Sequence, residues 1–123
     1  MKRIQPQDMT VDQLVQRFTE LAVEQDNALL GFDTKEAIRI FWLITAISDE
    51  LKSREGDQRH ALLPLYTHPN PQVRVKAAKA TLAIAPHAGR AVLQAIVDAK
   101  IDPQRLEAGM SLWNLETGVY KPT

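Results

Sequence analysis

Apolar residues recur at helical spacing in every long segment of this chain, and nowhere do they alternate with period two for long enough to make a strand. The first segment shows the pattern. Val11, Leu14, Val15, Phe18, Leu21 and Ala22 form one stripe, while Asp12, Gln13, Gln16, Arg17, Glu20 and Glu24 lie mostly off it. Thr10-Val11-Asp12-Gln13 reads as a capping box, so a helix is predicted over 10–30 with Gly31 as its stop. A second helix starts at Asp33, with Glu36 as box partner, and reaches about residue 54 before Gly56. A short third covers 57–66 and carries Pro64 near an end. The turn His68-Pro69-Asn70-Pro71 supplies an N-cap and a first-position proline for a fourth over 71–84. Pro86 opens a fifth ending near residue 99, and Asp102 caps a sixth, with Pro103 at its first position, that ends at Gly118. The expected fold class is all-α, with about six helices.

A chain of 123 residues can bury one continuous core, and no linker or low-complexity segment divides it. One domain over 1–123 is expected, with residues 1–9 frayed and 119–123 a loose tail. The second helix is unusual within this scheme. Residues 38–47 are apolar almost all round, which means burial on several sides. Either this is the central helix, or one flank meets another chain. Trp42, Leu43 and Ala46 are the residues expected at such an interface. Tryptophan is common at interface hot spots, and the bland alternative is that Trp42 and Trp113 simply fill the core.

Charge and cysteine content narrow the function classes. Fifteen basic and fifteen acidic residues give a formal charge of zero, hence no long-range pull toward nucleic acid or anionic membrane and weak repulsion between copies. With no cysteine, disulfides, thiolate nucleophiles and Cys-ligated metals are excluded. The polar N-terminal residues lack the apolar core of a signal peptide, and residues 38–47 are about half of the ~20 that a membrane span needs. A cytoplasmic location is the expectation.

The second half of the chain carries a repeat. Arg74-Val75-Lys76-Ala77-Ala78 aligns with Arg105-Leu106-Glu107-Ala108-Gly109 at an offset of 31 residues, each with a proline just upstream. Such spacing predicts stacked helix pairs. Ala77, Ala78, Ala80, Ala108 and Gly109 allow close approach, and Leu82, Leu112 and Trp113 fill the remaining volume. Leucine at position 78 or 109 should therefore overpack the interior.

Leu62-Leu63-Pro64-Leu65, then His68-Pro69-Asn70-Pro71-Gln72-Val73-Arg74, then Ala77-Ala78-Lys79-Ala80 resembles a HEAT repeat, closely over 61–86 and more weakly over 87–118. That resemblance implies a right-handed α-α superhelical array of two to three helix pairs and an interaction surface. It also implies that Arg74 bonds within or between repeats. The chain as a whole is similar to an uncharacterised bacterial family, domain-of-unknown-function family 2019. Residues 49–59 and 68–86 carry that similarity, which implies the fold and no activity.

Chemistry-bearing patterns are sparse. His60, His68 and His87 have no histidine partner at helical spacing and form no Glu-x-x-His pair, so no metal site is predicted. Asp57-x-x-His60 is one lone pair, better explained as a cap or surface contact. Glu20 with Glu24, and Asp49 with Glu50, lie among Gln, Lys and Arg on polar faces without the apolar pocket that acid–base tuning needs. Ser48, Ser53 and Ser111 sit inside helices rather than in a nucleophile elbow. The five glycines are isolated, which leaves no phosphate cradle. No catalytic residue and no cofactor are predicted. Arg54, Arg59, Lys76 and Lys79 are the candidates for a basic patch. Zero net charge and few free aromatics speak against nucleic acid as the partner.

The reading that follows is a non-catalytic protein-binding or scaffolding module, acting on a protein partner or on its own copy, with an immunity- or antitoxin-like role as one specific version. The alternatives are a nucleic-acid-associated HEAT-like domain using the four cations, and an enzyme whose site carries no recognised motif.

Overall fold

Five α-helices and two 3-10 segments make up the regular structure of residues 4–123, the part that the computed structural model describes; no strand occurs among them. The all-α expectation holds. The helices are α1 (Val11–Leu30), α2 (Thr34–Ser53), α3 (Pro71–Ala80), α4 (Pro86–Asp98) and α5 (Gln104–Glu116), with 3-10 turns at Pro6–Asp8 and Gln58–Thr67. By internal contacts the chain falls into two compact units, the first ending at Ala61 and the second being Leu62–Thr123.

The first unit is an α1–α2 hairpin. Its start is the expected capping box: the Gln13 amide donates to Thr10 Oγ1 at 3.1 Å, and the Thr10 amide donates to Gln13 Oε1 at 2.9 Å. The start of α2 is half of one. The Glu36 amide donates to Asp33 Oδ1 at 3.1 Å, but the Glu36 carboxylate turns forward to Arg39 instead of back to the cap. Leu14, Phe18, Leu21 and Ala22 of α1 are buried, as are Ala37, Ile40, Ile44, Ile47 and Leu51 of α2. Gln25 is buried too, and its Nε2 donates to the Ala37 carbonyl at 3.0 Å, tying the two helices near their turn. The lead before α1 was expected to fray. Residues 1–3 lie outside the described residues, but Pro6–Asp8 forms a 3-10 turn. Arg54 reaches it from beyond α2, donating to the carbonyls of Pro6 and Met9 at 3.1 and 2.6 Å.

In the second unit α4 packs on both α3 and α5, and α3 and α5 also touch. Val75, Ala78, Leu82, Leu93, Ile96 and Ala108 form its core, flanked by Tyr66, Val92, Val97, Ile101, Leu112 and Leu115. Three local features depart from expectation. Residues 58–67 form a 3-10 helix, because Pro64 has no N–H to donate and its ring obstructs the α-helical carbonyl four residues back. Helix α3 stops at Ala80, four residues early, since the Thr81 hydroxyl bonds back to the Ala77 carbonyl at 2.7 Å and to the Tyr66 hydroxyl. Asp102 is not the cap of α5. Its carboxylate pairs with Arg105 at 3.2 Å, and the N-cap position falls to Pro103. Gly118 ends α5 as expected, at φ 75°, and the Tyr120 amide still bonds back to the Asn114 carbonyl at 3.1 Å.

Candidate functional site

Helix α2 buries one stripe and leaves the opposite one open. Trp42 is 64% exposed, Ile38 and Phe41 are also exposed, and the Phe41 and Trp42 rings meet edge to face with centroids 5.1 Å apart. Of the residues expected at an interface, Trp42 and Ala46 are exposed and Leu43 is half-buried. The all-round apolar character of residues 38–47 is thus not that of a central helix, because α2 has a wet flank made of aromatic and aliphatic side chains. Trp42 does not fill the core, and neither does Trp113, which is 62% exposed. With Leu106 and Met110, Trp113 forms a second open row on α5.

A residue outside the sequence-based candidates sharpens the first face. The α1–α2 turn closes as a Schellman motif. The Asp33 amide donates to the Ala28 carbonyl at 2.8 Å and the Phe32 amide to the Leu29 carbonyl at 3.1 Å. Gly31 caps the helix at its expected stop, with φ −87°. The left-handed residue is Phe32, at φ 58° and 92% exposed. A bulky side chain there costs of order 1 kcal/mol, and exposure of its ring recovers nothing. Beside it opens a mainly apolar groove of about 380 Å³, lined by Gln25, Ala28, Phe32, Ala37, Ile38 and Phe41 among others. Sequence reasoning passed over Phe32 because glycine beside it is the usual left-handed stop. Phe32→Gly is therefore expected to stabilise the protein by about 1 kcal/mol in urea denaturation; no gain would mean that the ring repays its strain within the chain.

The four cations are engaged locally. Arg54 pairs with Glu50 at 2.9 Å in addition to holding the lead. Arg59 makes a bidentate contact to Asp57, at 2.9 and 2.6 Å, and its hydrogen bonds hold the Asp57 carboxyl below the usual carboxylate range. Lys76 and Lys79 both donate to Glu107, at 2.7 and 3.0 Å. Each cation therefore has an acidic neighbour within its own unit. Arg74, read as a bonding residue, donates to the carbonyls of His68 and Pro69 at 2.8 and 3.1 Å. His60 Nδ1 lies 3.0 Å from the Asp57 carbonyl and His68 Nδ1 accepts from the Asn70 amide at 3.0 Å, both turn contacts. Among the described residues no three His, Asp or Glu side chains are grouped to hold a metal ion. No helix among them is long and apolar enough to cross a membrane.

The repeat and the helix pattern lie within a span that known sequences also mark. The profile described as "Domain of unknown function (DUF2019)" matches residues 12–116, from the first turn of α1 to the end of α5. The chain belongs to the DUF2019 family. A crystal structure, that of the protein RPA1889 from Rhodopseudomonas palustris CGA009, is similar to this DUF2019 chain with a TM-score of 0.93 and 48% identity, covering 98% of this chain and 100% of that one. No curated protein matches the chain. Neither the family description nor the name of the solved relative assigns an activity, so the function of this DUF2019 protein is unknown.

Proposed function

We propose that this protein is a non-catalytic binding or scaffolding module of the cytoplasm whose docking surface is the open face of α2 with the groove beside it. The observation that carries the reading is Phe32. A strained, almost fully exposed aromatic residue stands at the mouth of an apolar groove that Phe41, one of an exposed aromatic pair with Trp42, also lines. Exposed apolar patches of this kind mark interaction sites, and backbone strain persists where function requires it. Zero net charge and the pairing of the four candidate cations favour a protein over a nucleic acid as partner.

The second unit is read as a HEAT-like element. The positions aligned by the 31-residue offset, Lys76 and Glu107, are ion-paired to each other, and the aligned alanines Ala77 and Ala108 are both fully buried. Neighbouring helices of equivalent register in side-by-side contact are what a stacked repeat requires.

A photo-crosslinking amino acid placed at position 32 or 42 tests the reading in cells that make the protein. The expected result is a discrete adduct with a polypeptide from either position and none from exposed Gln94 on α4. Absence of any adduct from both sites sinks it.

A further inference from the structure

We propose that the occupant of the α2 face is a second copy of the same chain, packed antiparallel across a two-fold axis at Trp42. This rests on the binding role just proposed and names its partner.

Seven residues are close to two turns of α-helix, so Lys35, Trp42 and Asp49 lie almost in one line along α2. All three are exposed, and the line runs down the middle of the open face, opposite the buried stripe of Ile40, Ile44 and Ile47. An isologous interface repeats each contact with the partners exchanged. With the axis at Trp42, residue i meets residue 84 − i. Trp42 then stacks on its own copy, Ile38 covers the small Ala46, and Lys35 meets Asp49 at both ends.

Charge supports that pairing independently. Neither Lys35 nor Asp49 makes an ion pair among the described residues. Both stand against their own helix dipole, a lysine in the first turn and an aspartate near the last, where the reverse signs are favoured. Two uncompensated charges of opposite sign, equally spaced from an exposed tryptophan, are self-complementary only in the antiparallel arrangement. The apolar area also suits a dimer. Phe32, Ile38, Phe41 and Trp42 expose on the order of 500 Å² between them, and the charged rim extends this toward the ~800 Å² per partner of a standard interface. A formal charge of zero removes the repulsion that would oppose association.

Sedimentation velocity over a concentration series, on the full chain, provides the test. The wild type should be a dimer in the micromolar range and Trp42→Glu a monomer with an unchanged helical circular dichroism spectrum. Lys35→Asp and Asp49→Lys should each weaken the dimer about tenfold, because each puts like charges opposite one another twice. The double variant K35D/D49K should restore it to near wild-type strength. At concentrations low enough for wild type and variants alike to be monomeric, the charge variants should melt no lower than wild type, since both moves favour the helix dipole, so a loss of dimer cannot be laid to misfolding. A monomeric wild type overturns the homodimer. So does a dimer that survives Trp42→Glu, or one that dissolves on Trp113→Glu alone. Crosslinking from positions 32 and 42 to a different polypeptide, with a monomeric wild type, would overturn the second copy and leave the binding role standing.

Discussion

Glu107→Ala is expected to destabilise the protein by about 3 kcal/mol at pH 7, because it leaves a buried lysine without its counter-ion. Lys76 is only 8% exposed, and burial pushes its ammonium below the usual lysine range against the pull of Glu107. Burial by itself would raise the Glu107 carboxyl. Lys76 and Lys79 outweigh that and hold it below its ordinary 4.5. A carboxyl whose folded value is lowered adds stability that is complete above the unfolded value and lost as pH falls through the folded one. The gap between wild type and Glu107→Gln should therefore be full at neutral pH, begin to narrow as the pH falls below the unfolded value of about 4.5, and close only below the lowered folded value. Urea denaturation from pH 7 to pH 3 measures it, and a gap that stays constant would show that Glu107 acts through shape and not charge. Removing both charges is a different perturbation. Lys76→Met with Glu107→Leu should recover most of the loss, since a well-packed apolar pair is often as stable as a buried ion pair.

Gly89→Val should cost about 3 kcal/mol, the upper part of the range for overpacking. A Cβ at position 89 would lie 3.0 Å from Leu82 Cδ2, 3.2 Å from the Ala78 carbonyl oxygen and 3.5 Å from the Tyr66 hydroxyl. The leucine methyl can swing aside. The carbonyl belongs to the backbone of α3 and moves only if the helix moves. Gly89→Ala adds one methyl group but gains about 1 kcal/mol of helix propensity, so it should stay within about 1 kcal/mol of wild type. The contrast with Gly109 is the control. A Cβ there meets only Val97 Cγ2, at an ordinary 3.9 Å, so Gly109→Ala should be neutral or slightly stabilising in thermal melts. If Gly109→Ala is the damaging change and Gly89→Val is tolerated, the close approach has been misplaced.

Position 109 was singled out by the repeat alignment, which pairs it with fully buried Ala78. The alignment also matches Lys76 with Glu107, which are in contact. Helical equivalence does not settle which helix comes closest. Ala78 is approached by α4 at Gly89, and α4 stands outside the pair of aligned helices.

What the sequence determined by itself is the local part of the structure. A helical period, the capping box at Thr10, the Asn70-Pro71 start of α3 and the stop at Gly118 each involve residues within a turn or two, so neighbours along the chain decide them. Even locally the signals compete: Arg39 takes Glu36 from its capping role, and Phe32 rather than Gly31 occupies the left-handed position. Only the tertiary structure decided which half of α2 is covered. Its apolar residues run nearly all round, and periodicity cannot choose a face when every face qualifies. Packing on α1 buries Ile40, Ile44 and Ile47 and turns Trp42 outward. The same holds for the cations. Lys76 and Lys79 read as a basic pair on one helix, and they come to share one carboxylate because Glu107, 31 and 28 residues away along the chain, is folded against them. Contacts between distant residues depend on how helices meet, and a pattern with a range of one or two turns does not contain that.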